Sequence, residues 1–163
     1  MSRRIAAVVL AVLGLGSAGI VGVQLAGAQP AQEAAAAVRF ATLEVYVESA
    51  EPLAAWQFEL TESTGAMAVV GVENGDSAAY PEAPHYDRAV MERASADRII
   101  VADYSLAARD ELPSGRTRVA TVHVRLTGTR APDFELQLTA AGNAEGERIT
   151  AAAIYELQEG RAP

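Results

Sequence analysis

The chain has 163 residues, of which 13 are basic and 21 acidic, a formal net charge of −8 at pH 7, and no cysteine. A nucleic-acid binder needs clustered positive charge to neutralise phosphates, so the acidic balance argues against that class of partner. The lack of cysteine excludes a disulfide framework and thiol chemistry. A hydrophobic content of 50% is typical of a folded chain and not of a disordered one.

The N-terminal 28 residues have the pattern of a secretory signal peptide. A short positive start, Met1-Ser2-Arg3-Arg4, precedes residues 5–28, which carry no charge and end in Ala26-Gly27-Ala28. These small residues predict cleavage after Ala28. The alternative is an uncleaved membrane anchor, because about 20 apolar residues can span a bilayer. Both interpretations place the rest of the chain outside the cytoplasm, secreted or at the cell envelope, with membrane contact only if residues 5–28 are retained.

The remainder divides into a linker and one domain. Residues 29–38 are rich in Ala and Gln and predict a linker. About 125 residues then remain, enough for one domain that needs neither metal nor disulfide to fold. From Arg39 onward apolar and polar residues alternate with period two, which indicates β-strands with one buried face. The predicted inward rows are Ala41, Leu43, Val45 and Val47; Ala54, Trp56, Phe58 and Leu60; Ala120, Val122, Val124 and Leu126; and Phe134, Leu136, Leu138 and Ala140.

Two segments are less regular. Residues 73–97 form a long connection with two prolines, and its charged stretch 87–93 predicts one or two helical turns. Residues 149–157 are rich in Ala and fit a helix as well as a strand. Residues 158–163 are predicted to be a tail, so the domain is expected to span residues 39–157.

The predicted fold class is an all-β antiparallel sandwich. Seven or eight half-buried strands, separated by turn signals, are typical of two sheets packed face to face. A parallel α/β sheet would require long amphipathic helices between the strands, and the sequence has no such pattern.

Several core-packing patterns resemble one family of sandwiches. They are EPLAAWQFEL at residues 51–60, RIIVA at 98–102, LPSG at 112–115 and VATVHV at 119–124. In this order they are similar to the cohesin-like group of carbohydrate-binding-module-type domains, over residues 39–157. The resemblance implies a jelly-roll or Greek-key sandwich that binds a dockerin-like protein partner or a polysaccharide. The segment TESTG at 61–65 departs from the turn often found there, and no binding residue is carried over.

Candidate ligand-binding residues come from outward positions and from the long connection. Tyr46 has outward parity on the first strand, and Tyr80 and Tyr86 lie in residues 73–97, so these three are the candidates for stacking on a ligand. His85 and Asp87 are polar candidates beside them. Trp56 shares the inward parity of Phe58 and Leu60, which predicts a place in the core.

No cofactor is predicted. Calcium binding is kept as an alternative, although the sequence has no dedicated calcium motif. Two sets of oxygen or imidazole ligands have suitable chemistry. They are His85, Asp87 and Asp103, and Glu73, Asp76, Asn143 and Glu145. Neither set has the spacing of a calcium loop, and Asp or Asn in a turn commonly caps its own backbone.

The sequence does not predict an enzyme. It has two histidines, no Gly-x-Ser-x-Gly motif and no His-Glu-x-x-His motif. Glu44 and Glu48 share a strand face, as a glycosidase pair would, although acidic pairs are common in so acidic a chain. The predicted function is a non-catalytic extracytoplasmic module that binds a protein partner or polysaccharide. The alternative is a membrane-tethered structural subunit of the envelope, and a small hydrolase is a third hypothesis.

Overall fold

The structure is a computed structural model, and it describes residues 37–93 and 96–160. Residues 1–36, which include the predicted signal peptide and nearly all of the predicted linker, lie outside that range. The described part contains eight β-strands and one short 3-10 helix, Arg88–Glu92. The strands are β1 Val38–Ser49, β2 Ala55–Glu62, β3 Met67–Asn74, β4 His85–Tyr86, β5 Arg98–Tyr104, β6 Gly115–Thr127, β7 Phe134–Gly142 and β8 Ala151–Glu159. Within these ranges, no helix is long and apolar enough to cross a membrane.

The strands form two four-stranded antiparallel sheets. Sheet A has the order β3-β6-β1-β8 and sheet B has the order β4-β5-β2-β7. Each sheet buries one face, and the two buried faces supply one hydrophobic core. The predicted all-β antiparallel sandwich is therefore confirmed.

The centre of the core is aromatic. Trp56 is 2% exposed and stacks on Phe58 at 5.7 Å between ring centroids, and Tyr80 meets the indole edge-on at 6.2 Å. Large aromatic side chains bury the most apolar surface per residue, so they contribute strongly to core stability. The predicted core position of Trp56 is confirmed.

Three β-bulges interrupt the period-two pattern. Register shifts leave Val70, Val119 and Thr139 as extra residues in β3, β6 and β7. A bulge places two residues opposite one, which reverses the inward and outward sides of the strand beyond it. The predicted inward row of β7 is therefore wrong at its end, because Ala141 and not Ala140 is buried.

The last element is a strand. β8 pairs along β1 from Ala151 to Glu159, so the choice between helix and strand for residues 149–157 is decided for the strand. β8 also runs two residues past 157 into the predicted tail. Gly160 N then donates to Phe40 O at 2.9 Å, which attaches the end of β8 to the start of β1.

A buried carboxylate organises one end of sheet B. Glu62 is 2% exposed and lies at the end of β2. It accepts hydrogen bonds from Thr64 N and Oγ1 at 3.1 and 2.5 Å, Ala66 N at 3.1 Å and Asp133 N at 3.2 Å. Burial by itself would raise the pKa of Glu62, but the hydrogen bonds to Thr64, Asp133 and Ala66 outweigh it and the pKa is lowered. The ionised side chain therefore connects β2, the following turn and the start of β7.

Candidate functional site

The predicted ligand-binding residues do not form one cluster. Tyr46 lies on the outer face of sheet A, while His85, Tyr86 and Asp87 lie at the edge of sheet B. Tyr80 is 3% exposed, and its hydroxyl donates to Leu53 O at 2.6 Å. Burial raises the pKa of Tyr80 because the phenolate would lose its hydration. Its ring packs against Trp56, so the prediction that Tyr80 stacks on a ligand is corrected to a core role.

Tyr46 takes part in a network on the outer face of sheet A. Its hydroxyl donates to Glu44 at 2.9 Å, and the guanidinium of Arg116 lies 4.1 Å from the centroid of its ring. Arg116 also pairs with Glu156 on β8. One face of the ring and the hydroxyl are thus already occupied within the protein.

The same network continues along β6. Arg118 pairs with Asp76 and lies 3.4 Å from a carboxylate oxygen of Glu44, and His123 Nε2 lies 3.3 Å from Glu73. Glu73 and Asp76, which sequence analysis considered as calcium ligands, therefore face cationic or imidazole partners. The outer face of sheet A is a surface on which most charged groups pair with one another.

The residues of the long connection have separate roles. The His85 ring is stacked on Tyr104 at 6.2 Å between centroids, with the rings 15° from parallel. Tyr86 is half-buried, and its hydroxyl is 3.3 Å from the sulfur of Met91. Asp87 caps the 3-10 helix by accepting from Ala89 N at 3.0 Å. Only His85 joins an exposed cluster on the sheet.

That cluster is the outer row of β5, with His85 beside it. Ile100 and Tyr104 point outward from β5, Tyr104 is 60% exposed, and Leu106 beyond the strand is 92% exposed. We call His85, Ile100, Tyr104 and Leu106 the β5 patch. Its last three members were not among the predicted site residues, because no inward and outward rows were assigned to this strand from the sequence. The signal was present, since Ile100 and Tyr104 have the parity opposite to buried Ile99 and Val101.

The surface beside the β5 patch is concave. A depression of about 410 Å³ lies on the outer face of sheet B, and small residues form its floor. Gln57 and Arg148 are also among its lining residues. His85 also lines two grooves, one of about 520 Å³ shared with Asp87 and Arg98 and one of about 500 Å³ shared with Glu82 and Leu106. The small residues of the floor are Ala55, Ala102, Ala140 and Gly142.

The ligands considered for calcium do not come together as a complete set in the described part of the chain. Among the described residues, no group of three or more His, Asp or Glu side chains is arranged to hold a metal ion. Asn143 Oδ1 instead accepts from Glu145 N at 3.1 Å and Glu147 N at 2.9 Å. Asn143 and Asp87 both cap their own backbone, as the turn interpretation predicted.

Comparison with known proteins identifies a fold. No family model matches the sequence, and no curated protein matches it significantly. A non-cellulosomal cohesin from the archaeon Archaeoglobus fulgidus is similar in structure, with a TM-score of 0.49 and 17% identity over 68% of this chain and 72% of that one. A chain of the CaDoc0917–CaCohA2 complex crystallised at pH 5.5 has a TM-score of 0.51 and 10% identity over 68% of this chain and 82% of that one. The protein has a cohesin-like β-sandwich fold, as its strand patterns predicted.

Proposed function

We propose that this protein is a non-catalytic module that binds a dockerin-type protein partner outside the cytoplasm, through the outer face of sheet B. The observation that carries the proposal is the β5 patch, where Ile100, Tyr104 and Leu106 expose apolar surface on one side of the sandwich. The cohesin-like fold supports a protein partner, since one structural neighbour comes from a cohesin–dockerin complex. The predicted signal peptide supports the location.

The β5 patch has the properties of an interface centre. Tyrosine is enriched among residues that dominate binding energy, and such residues are surrounded by less critical contacts that exclude water. The stacking of Tyr104 on His85 limits the motion of both rings, so less entropy is lost on binding. Alanines beside the patch let a partner backbone approach the sheet closely.

Sheet A also exposes apolar residues, but polar groups interrupt them. Phe40 of β1 and Val70 of the edge strand β3 line a depression of about 450 Å³, which Glu73 and His123 also line. Ile154 is exposed on the other edge strand, β8. A partner on sheet A would have to displace the ion pairs of Arg116 and Arg118, which costs desolvation energy.

The test is a capture experiment with the full chain as bait. The wild type is compared with Tyr104→Ala/Leu106→Ser on sheet B and with the matched control Phe40→Ser/Tyr46→Ala on sheet A. Each bait is incubated with secreted and envelope proteins of the source organism, with calcium or with a chelator, and circular dichroism verifies folding. We expect the wild type and the sheet A variant to capture the same protein, in a calcium-dependent manner, and the sheet B variant to lose it. Equal capture by all three baits would disprove the assignment to sheet B.

A polysaccharide is the second candidate ligand. The exposed Tyr104 ring, held by His85, is also a surface on which a sugar could stack. A neutral polysaccharide would bind with nearly the same affinity at low and high salt, whereas a charged protein partner would bind more weakly as salt rises. Carbohydrate analysis of the captured material at two salt concentrations distinguishes the two ligands.

A structural role in the envelope is the remaining alternative, favoured by the uncharged stretch 5–28. It requires that this segment be retained in the membrane. An intact mass that begins at Gln29 would exclude it, and a chain that begins near Met1 in the membrane fraction would support it.

A further inference from the structure

The groove of about 500 Å³ next to the β5 patch has apolar walls and acidic charge. Its walls are contributed by residues 78–83, which precede β4, and by the residues that follow β5. Leu106, which is almost fully exposed, is one of them. The apolar lining residues are Ala78, Ala79, Pro81, Ala83, Leu106 and Ala107. The groove therefore offers apolar contacts to an aliphatic side chain.

The two carboxylates of this groove, Asp103 and Glu82, form no ion pair with any described residue. Asp103 is half-buried, and its carboxylate accepts one hydrogen bond, from Tyr104 N to Oδ1 at 2.8 Å. Burial raises the pKa of Asp103 and Glu82 raises it further, against the hydrogen bond from Tyr104 N and the nearby His85. Asp103 thus bears a desolvation cost that Tyr104 N and His85 offset only in part.

The other half-buried acids of the sheets are compensated. Glu44 is close to Arg118 and Tyr46, and Glu59 lies 3.0 Å from Arg98. Asp103 differs from them in lining a groove wide enough for a ligand. His85 also lines the groove and is stacked on Tyr104, and the buried Tyr80 lies on its inner side.

We propose that this groove receives a Lys or Arg side chain of the protein partner, with its aliphatic stem along Leu106 and Pro81 and its cationic end at Asp103 and Glu82. The proposal rests on the proposed function, because it names the chemistry of the partner at the same face. Charge complementarity favours this occupant, since the acidic side chains of the groove would repel an anion. Lys and Arg bury an apolar stem while keeping a charged end in polar surroundings, which matches the two halves of the groove.

The probes are two short peptides that differ in one charge. Acetyl-Leu-Arg-Leu-amide and its counterpart with citrulline in place of Arg have nearly the same shape, but citrulline is neutral. Each is titrated into the ¹⁵N-labelled full chain and followed by amide chemical shifts. We expect saturable shifts at Ala79, Tyr104 and Leu106 with the Arg peptide, and about fivefold weaker binding with the citrulline peptide.

Two variants test the role of the carboxylates. Asp103→Asn keeps an oxygen that can accept from Tyr104 N, and Glu82→Gln changes an exposed side chain, so both are expected to fold. Asp103→Asn should reduce the affinity for the Arg peptide most of the way to that for the citrulline peptide, and Glu82→Gln should reduce it by a smaller factor. Equal affinities for the two peptides, shifts located elsewhere, or no saturable shifts would each overturn the proposal.

Failure of this inference is distinguishable from failure of the proposed function. If capture depends on Tyr104 and Leu106 while the peptides show no preference for charge, the face is correct and the cation site is wrong. If the peptides discriminate but capture does not depend on sheet B, the groove binds cations and the proposed function is wrong.

Discussion

The outer faces of the two sheets have similar backbones but different side chains. On sheet A, β6 presents Arg116, Arg118 and His123, and each of them lies beside an acid on another strand of the sheet. On sheet B, the corresponding row of β5 presents Ile100, Ala102 and Tyr104. The ion pair between Arg98 and Glu59, at 3.0 Å, lies at one end of this row.

This difference predicts that one face contributes to stability and the other to binding. Side chains that already pair within the protein must lose those partners before they can contact another molecule, so the net gain is small. Exposed apolar side chains have no such partners to lose, and their burial in a complex removes water from their surface. We therefore expect substitutions on the outer face of sheet A to alter the free energy of unfolding. Substitutions on the outer face of sheet B are expected to alter binding.

Two acids of sheet B, Glu62 and Asp103, show the same contrast within one sheet. Glu62 accepts four hydrogen bonds from three residues, whereas Asp103 accepts one. The pKa is lowered for Glu62 and raised for Asp103. The Glu62 carboxylate has its hydrogen-bond partners within the fold, so its role is structural. The Asp103 carboxylate has fewer partners and lines a groove, so it is available to a ligand.

The largest effect on stability is expected inside sheet B. Glu62→Ala would leave the N–H groups of Thr64, Ala66 and Asp133 without their acceptor, and we expect the free energy of unfolding to fall by about 3 kcal/mol. Chemical denaturation of wild type and variant measures this change. A loss below about 1 kcal/mol would mean that water replaces the carboxylate and that Glu62 does not tie β2 to β7.

The pH dependence of the free energy of unfolding tests the role of Glu62. Because its pKa in the folded state lies below the ordinary value of 4.5, its ionisation stabilises the fold above that pH, and the contribution is lost as pH falls through the folded pKa. Glu62→Gln lacks this titration. The stability difference between wild type and Glu62→Gln should therefore be constant near neutral pH and shrink in acid, as measured by denaturation from pH 7 to pH 3. A difference that grows in acid would contradict the sign of the shift.

Matched arginine variants compare the two faces directly. Arg118→Met on sheet A removes a cation from Asp76 and half-buried Glu44, and we expect a loss of about 1.5 kcal/mol. Arg98→Met on sheet B breaks a pair in which the arginine is largely exposed, and we expect at most about 0.5 kcal/mol. Thermal and chemical unfolding at low and high salt measures both. Equal losses would remove the distinction between the faces.

The smallest effect on stability is expected at the β5 patch. Ile100→Thr and Tyr104→Thr keep a residue that favours strands and remove exposed apolar surface, so the free energy of unfolding should change by no more than about 0.5 kcal/mol. Chemical denaturation of the two variants checks this. A loss above 1.5 kcal/mol in either variant would show that the patch supports the fold instead of a partner.

Much of the fold was predictable because strand periodicity is a local property. Alternation along β1, β2 and the later part of β6 identified the inward residues correctly, including Trp56. The bulges at Val70, Val119 and Thr139 were not predictable from that pattern. A bulge depends on how one strand registers with its neighbour, which the residues of one strand do not specify.

The candidate site was predictable only in part. The sequence singled out His85, but its partner Tyr104 lies 19 positions away and is brought to it by the pairing of β4 with β5. Tyr80 and Tyr86 lie in the same connection between strands, yet Tyr80 is buried in the core and Tyr86 is half-buried beside the 3-10 helix. Loop residues carry no periodic signal, so their exposure depends on the surface against which the loop packs.

The sequence by itself determined that this chain forms an acidic, cysteine-free antiparallel sandwich with a cohesin-like pattern, because composition and period-two alternation specify half-buried strands. Only the tertiary structure decided which outward residues pair with one another and which remain exposed. That division depends on strand order and register, which bring Arg118 to Glu44 and Asp76 on sheet A and leave Ile100 and Tyr104 exposed on sheet B. Contacts between distant residues form only when the strands are assembled into sheets.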